Sequence, residues 1–259
     1  MEELVRNRDK LVALYRETSK HSNYQILANT LKTLIGHQQI NVVSRHERER
    51  LKYILRNLSI QGKNILDIGG NTGFFTFEAL NHGALTVSYY EGNKVHAEFV
   101  KEASSKLNIE NKILIHNEYY LFDESSEDKY DVILLLNVLH HVGDDYSDNN
   151  VSIESALSSI VQSLQSLAFK TEFLVFQMGF NWKGDIRLPF FSGGTKQEVI
   201  EFVQGAVKNC FEVLSIGVGG KVREGVVYNV LNDTNINRDD ELGEFLNRPI
   251  FIMKSKLFQ

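Results

Sequence analysis

The stretch Asn64-Ile65-Leu66-Asp67-Ile68-Gly69-Gly70-Asn71-Thr72-Gly73-Phe74-Phe75-Thr76 constrains this chain more than any other. A short apolar run ends in an acid, a glycine-rich turn follows, and a helical pattern begins. This predicts a strand, a tight loop and a helix N-terminus, the place where α/β proteins bind cofactors. Gly69, Gly70 and Gly73 permit left-handed dihedrals and close backbone approach, and Asn is the next most tolerant type at position 71. A dinucleotide fingerprint fits less well. Laid from Gly69, the pattern Gly-x-Gly-x-x-Gly needs glycine at Asn71 and again at Phe74.

The pattern around this stretch alternates. Strands are expected at 65–68, 85–90, 112–116, 130–136 and 172–177, with helices at 74–81, 95–107 and 153–167 between them. Thr195 with Glu198 is a capping box that opens a helix burying Val199, Phe202, Val203 and Ala206. Strands at 211–216, 226–231 and 250–254 follow, with no helix after 211, so antiparallel pairing is expected there. Ahead of the first strand, helices are expected at 3–20, at 24–35 with Gly36 as its stop, and from Ser44, an N-cap with Glu47 three residues on. The expected organisation is an N-terminal helical cap over 1–58 and a domain over 59–259, with a polar insertion near 217–247. The fold class is α/β: a Rossmann-like, mostly parallel, seven-stranded sheet with helices on both faces and an antiparallel C-terminal hairpin.

Composition narrows the function classes. With 42% hydrophobic and 24% charged residues, the 259-residue chain can bury a sizeable core. A net charge of −5 argues against non-specific nucleic-acid binding. Cys210 is the single cysteine, which excludes an intrachain disulfide and a cysteine-cluster metal site; no metal is expected. The acidic start Met1-Glu2-Glu3 argues against a secretory signal, and no apolar run reaches the ~20 residues of a membrane span. The expectation is a cytoplasmic protein with no membrane partner.

The motif Asp67-x-Gly69-x-Asn71-x-Gly73 resembles the first motif of class I S-adenosylmethionine (SAM) dependent methyltransferases, with Asn71 in place of the middle glycine. The antiparallel end of the sheet is similar to theirs. The resemblance implies SAM as cofactor and S-adenosylhomocysteine (SAH) as product. It implies that Gly69, Gly70, Asn71, Gly73 and Phe74 line the amino-acid end, and that Asp67 binds the ammonium directly or through water. Glu91, 24 residues after Asp67 at the end of the second strand, is placed on the ribose diol with Gly92 beside it. Asn117, or alternatively Glu118, is placed at the adenine amino group, with Tyr119 or Tyr120 covering its face. Arg45 (or Arg48) is placed at the cofactor carboxylate or an anionic substrate, since helices before the first strand often lid this pocket.

The fourth strand ends in Leu136-Asn137-Val138-Leu139-His140-His141, similar to small-molecule and phosphate-directed class I enzymes that read Asn/Ser-x-Leu/Phe-His-His. That similarity puts Asn137 at the methionine end and His140 and His141 beside the methyl group or the substrate. An unperturbed imidazole, titrating near ~6.5, is a suitable base for a hydroxyl acceptor. Past the fifth strand, Gln177, Trp182, Lys183 and Arg187 read as a substrate wall with cationic groups. The finer resemblance is to sugar- and phosphate-modifying methyltransferases of bacterial surface-polysaccharide pathways. It implies a small, anionic acceptor (phosphate, phosphoramidate or sugar-linked) and no nucleic acid. The alternatives are a tRNA or terminal-phosphate RNA methyltransferase, a non-catalytic SAM-binding protein, and a nicotinamide-dependent oxidoreductase. Oligomeric state is not given by the sequence.

Overall fold

A computed structural model describes residues 2–17, 22, 24–35, 40, 42, 44–122, 128–144 and 152–259. The expected helix stop at Gly36 and residues 18–20 of the first expected helix lie outside them. The chain packs as two compact units, residues 1–47 with 60–120, and residues 48–59 with 121–259.

The first unit carries three parallel strands, β1 (Asn64–Ile68), β2 (Thr86–Tyr90) and β3 (Ile113–His116), in the order β3-β2-β1. Each parallel step is made by a helix, α4 (Phe74–Asn81) and α5 (Lys94–Lys106), as the sequence alternation requires. Helix α1 (Glu2–Arg16) packs on α5 through Tyr15 against Phe99, with Lys10 reaching Glu102 at 2.6 Å. Helix α2 (Asn29–Ile35) begins five residues later than its apolar stripe predicts. The backbone N–H of Asn29 donates to the buried Glu78 carboxylate at 2.6 Å, while Gln25 is committed to the glycine turn. Long-range hydrogen bonds therefore set that helix start.

Helix α3 (Glu47–Asn57) also starts late. Ser44 and Glu47 do pair, and the Glu47 carboxylate accepts from Ser44 Oγ (2.9 Å) and the Arg45 amide (3.0 Å). His46 between them has φ +56°, so Ser44 stabilises a turn before the helix rather than capping it. Within the second unit, the α3 residues Leu51, Ile54 and Leu58 are buried as their spacing predicts.

The second unit holds β4 (Tyr130–Leu136), α6 (Ile153–Leu167), β5 (Thr171–Gln177), α7 (Lys196–Val207), β6 (Phe211–Val222), β7 (Gly225–Val230), α8 (Gly243–Leu246) and β8 (Ile250–Ser255). Its strand order is β4-β5-β8-β6-β7, with β4 and β5 parallel and the rest antiparallel. Val132 to Leu135 are all buried, as are Leu174 to Gln177. Successive strand residues point to opposite faces, so both faces are covered here. Helix α7 opens on the predicted capping box of Thr195 and Glu198.

The described residues contain eight strands and not seven. Strand β7 falls on the segment expected at 226–231, so the expected strand segments already number eight where the fold class names seven. Residues 217–222 continue β6 past its expected end, and 225–230 fold back on them through a tight turn at positive-φ Gly225. The polar composition of this hairpin reflects its place at the sheet edge, where half its residues face water. The architecture is the expected Rossmann-like α/β class with an antiparallel C-terminal part.

Candidate functional site

The glycine turn in the first unit is built on positive dihedrals. Gly69, Asn71 and Gly73 have φ of +70°, +52° and +79°. Gly70 has ordinary dihedrals but no room. A Cβ there would lie 2.4 Å from the ring of Tyr89 and 3.0 Å from Asp67 Oδ2. Tyr89 is fully buried and its hydroxyl donates to the Asn71 carbonyl, so the ring cannot retreat. Gly70→Ala is therefore expected to destabilise the protein by about 1–3 kcal/mol through overpacking, read as a lower urea midpoint. A wild-type midpoint would mean that Tyr89 is not the turn's fixed support.

The amides of this turn are already used. Gly69 and Gly70 donate to the Tyr90 carbonyl (2.8 and 3.2 Å), and Asn71 donates to Glu91 Oε2 (2.8 Å). Thr72 donates to Asn71 Oδ1 (2.8 Å), Gly73 to the Gly70 carbonyl (2.9 Å) and Phe74 to Gln25 Oε1 (2.8 Å). Gly69 to Phe74 thus form a turn whose amide hydrogen bonds run to Tyr90, Glu91, Asn71, Gly70 and Gln25, with the carboxylates of Asp67 and Glu91 beside it.

Two carboxylates give the turn its chemistry. Asp67 is 4% exposed, and its Oδ2 accepts from Thr76 Oγ1 at 2.6 Å. Burial pushes its pKa up to about 6. The nearby Glu91 charge adds to the rise, while hydrogen bonds from the Thr76 hydroxyl and backbone pull against it. Glu91 bridges two elements: Oε2 takes the Asn71 amide, and Oε1 takes the Asn93 amide at 2.8 Å. Asn93 in turn caps α5. Together these bonds pin the ends of β1 and β2, which pair Asp67 with Tyr89.

The remaining predicted groups of this unit are spread around that pair. Asn117 donates from Nδ2 to the Glu91 carbonyl at 2.9 Å. Glu118 is exposed, 3.6 Å from His116 Nδ1. Gly92 makes room for Tyr119, since a Cβ there would meet its ring at 2.4 Å, while Tyr120 packs edge-on against Tyr90. Arg45 lies 4.8 Å over the ring of Tyr24.

In the second unit, β4 is followed by Asn137, whose φ of +65° turns the chain into a short 3-10 segment, Leu139–His141. Asn137 and Gln177 are brought together. Asn137 Nδ2 donates to Gln177 Oε1 at 2.9 Å, and the Asn137 amide donates to the Gln177 carbonyl at 2.7 Å. His140 is 2% exposed, and its ring centroid lies 4.3 Å from that of the more open His141. His141 Nδ1 is 3.8 Å from Asp144 Oδ2, an ionic separation beyond hydrogen-bond reach.

The predicted substrate wall is not assembled as one surface. Trp182 is 8% exposed, and its Nε1 donates to the Val142 carbonyl at 2.7 Å. The tryptophan is a core residue that braces the histidine turn. Lys183 lies over the Trp182 ring at 4.3 Å, while Gly184 approaches His141, so this loop does border the turn. Gln177 is buried. Arg187 is exposed and spent on Asp185, which it contacts at 2.6 Å. Asp144, Gln25, Thr76, Glu244 and Arg248 were not singled out from sequence. Only Thr76 falls in a motif stretch, and the Arg248–Asn137 contact spans 111 positions.

No family model matches the chain, and no curated protein matches it. Solved structures do. The bifunctional kinase-methyltransferase WbdD aligns over 94% of this chain and 46% of its own, at 13% identity and a TM-score of 0.57. The chain shares the fold of the aligned part of that protein. A second WbdD structure, with the kinase inhibitor LY294002, gives 14% identity, 94% and 47% coverage and again 0.57. The chain spans less than half of WbdD. PH1948 of Pyrococcus horikoshii, assigned as an RNA methyltransferase, aligns over 96% of this chain and 98% of its own at 14% identity. Its TM-score of 0.48 is too low to bear on function. Among the described residues, no cluster of His, Cys, Asp and Glu is placed to hold a metal. No helix among them is long and apolar enough to cross a membrane.

Proposed function

We propose that the protein is a SAM-dependent methyltransferase that methylates an oxygen of a small anionic acceptor of the kind found in polysaccharide pathways. The observation that carries this reading is the pair of carboxylates at the glycine turn. Asp67, buried with its pKa raised to about 6, is poised to gain from a cationic group such as the ammonium of SAM. Glu91, held by two amides at the end of the second strand, is a carboxylate suited to accept from a diol. These groups fit the cofactor's amino-acid and ribose ends. The likeness of fold to WbdD supports the reaction class, and the acceptor class rests on the resemblance of the His140-His141 turn.

When bound, SAM supplies an electrophilic methyl group on a sulfonium. The protein's task is then to hold the acceptor oxygen and move one proton. Where that oxygen is a hydroxyl, His141 takes its proton, and the nearby Asp144 charge stabilises the imidazolium. Trp182 and Val142 keep the turn in place. Asn71, Asn93 and Thr76 fix the carboxylates before any ligand arrives.

Calorimetric titration with SAM, SAH and NADH tests the reading. Binding of SAM and SAH without NADH is expected, and binding of NADH alone would overturn it. Glu91→Ala is expected to weaken SAH binding about tenfold or more, since charge-assisted hydrogen bonds are lost. Unchanged affinity would remove Glu91 from the site. Turnover should then appear in a screen of phosphorylated sugars. Methylation of RNA but of no small molecule would move the acceptor to the nucleic-acid class.

A further inference from the structure

Arg248 lies between α8 and β8, directly before Pro249. It is 9% exposed, yet it carries a guanidinium. Nε and Nη2 donate to the two oxygens of Glu244 at 3.1 and 2.5 Å, and Nη1 donates to Asn137 Oδ1 at 2.8 Å. Burial pushes the Glu244 carboxyl up, but the Arg248 charge and hydrogen bonds outweigh it and hold the carboxyl below its ordinary value. The pair is therefore fixed and ionised.

A guanidinium has five N–H groups. Three are used, and one on Nη1 and one on Nη2 have no acceptor among the described residues. Unmet donors on a buried cation are costly, so this edge is suited to an anionic oxygen. The surroundings match. A Cβ placed on Gly179 would lie 3.1 Å from Arg248 Nη2 and 3.0 Å from His140 Cδ2. Guanidinium and imidazole thus flank one position that has no side chain. A second buried guanidinium, Arg50, shares the ring of Phe245 with Arg248, at 5.1 and 4.9 Å. Tyr228 is fully buried close to Gln177, and its hydroxyl makes no well-formed hydrogen bond. Asn137 ties the cluster to the turn that carries the histidines.

We propose that the open edge of Arg248, beside His140, is an anion subsite that takes a phosphate or carboxylate oxygen of the methyl acceptor. The word acceptor rests on the methyltransferase reading; the anion subsite itself does not. The same chemistry could be met by the carboxylate of the cofactor, and the test separates the two.

Inorganic phosphate is titrated into the full chain by calorimetry and by thermal shift. Saturable binding is expected for the wild type, at least about tenfold weaker for R248M. Because R248M leaves Glu244 without its partner, the R248M/E244Q double variant is measured beside it. G179A leaves every charge in place and puts a methyl group against both His140 and Arg248. It should weaken phosphate binding while circular dichroism and SAH affinity stay at wild-type values. Equal phosphate affinity in the wild type, R248M/E244Q and G179A would overturn the subsite, as would a wild type that shows no saturable binding. A loss of affinity in R248M/E244Q for SAH but not for methylthioadenosine would assign the edge to the cofactor carboxylate and overturn the acceptor assignment. Phosphate binding without any SAH binding would retain the subsite and sink the methyltransferase reading.

Discussion

His141→Ala is expected to lower kcat by about 10²–10⁴-fold, the range for loss of a general base, while leaving SAH affinity unchanged. His141 is the more open of the two adjacent histidines, and Asp144 is 3.8 Å from its Nδ1. His140 is buried and packs against Gly179. The structure thus distinguishes two residues that the sequence treats alike. The measurement is single-turnover SAH formation with the phosphorylated sugar that shows turnover. Asp144→Asn should give a smaller loss in the same direction, since it removes the negative charge near the imidazolium but not the base. A fall of less than tenfold for His141→Ala would mean that the reacting oxygen is already ionised, and the base role would be withdrawn.

Asp67→Asn is expected to raise the stability of the unliganded protein at neutral pH and to abolish SAM binding. The carboxyl has a folded-state pKa of about 6 against an ordinary 3.8. Below about pH 4 both folded and unfolded chains hold the proton, and stability does not change through this group. Between about 4 and 6 the folded chain retains a proton that the unfolded chain has lost, so stability falls as pH rises. Above about 6 the whole cost of the buried charge is present, on the order of 3 kcal/mol for a shift of this size. Asparagine carries no charge, and its amide oxygen can still accept from Thr76. The variant should therefore gain roughly 2–3 kcal/mol at pH 8, and its stability should lose the downward slope between about pH 4 and 6. Urea denaturation over a pH series reads both effects. A variant that is no more stable at pH 8 would show that Asp67 is not held against its own burial. One that still binds SAM at wild-type affinity would remove Asp67 from the cofactor site. Stability would thus have been given up for a buried charge that waits for a cation.

Much of the fold was legible because its signals are local. Helix α4 and strand β4 begin and end where the apolar pattern places them, and the capping box of α7 is present as a hydrogen-bonded pair. The turn could be read because a left-handed backbone leaves few residue types to choose from. Gly69, Asn71 and Gly73 are those types. Local signals misled where a distant group intervened. The stripe from Tyr24 promised a longer α2, but Gln25 caps the N-terminus of α4, and Glu78 takes the Asn29 amide. Ser44 and Glu47 formed their pair around a positive-φ His46 and so made a turn instead of a cap.

By itself the sequence determined the β1–turn–α4 unit, the α/β class, and the placement of Asp67 and Glu91 at the ends of neighbouring strands. Periodicity, glycine positions and strand ends are properties of a few consecutive residues. Only the tertiary structure decided which atoms are available for chemistry. It closed the amides of the turn onto Tyr90, Glu91 and Gln25, buried Trp182 on Val142, and spent Arg187 on Asp185. It also brought Arg248 to Asn137 across 111 positions of sequence. A hydrogen bond depends on distance in space, and no pattern of neighbouring residues encodes which remote donor will find an acceptor first.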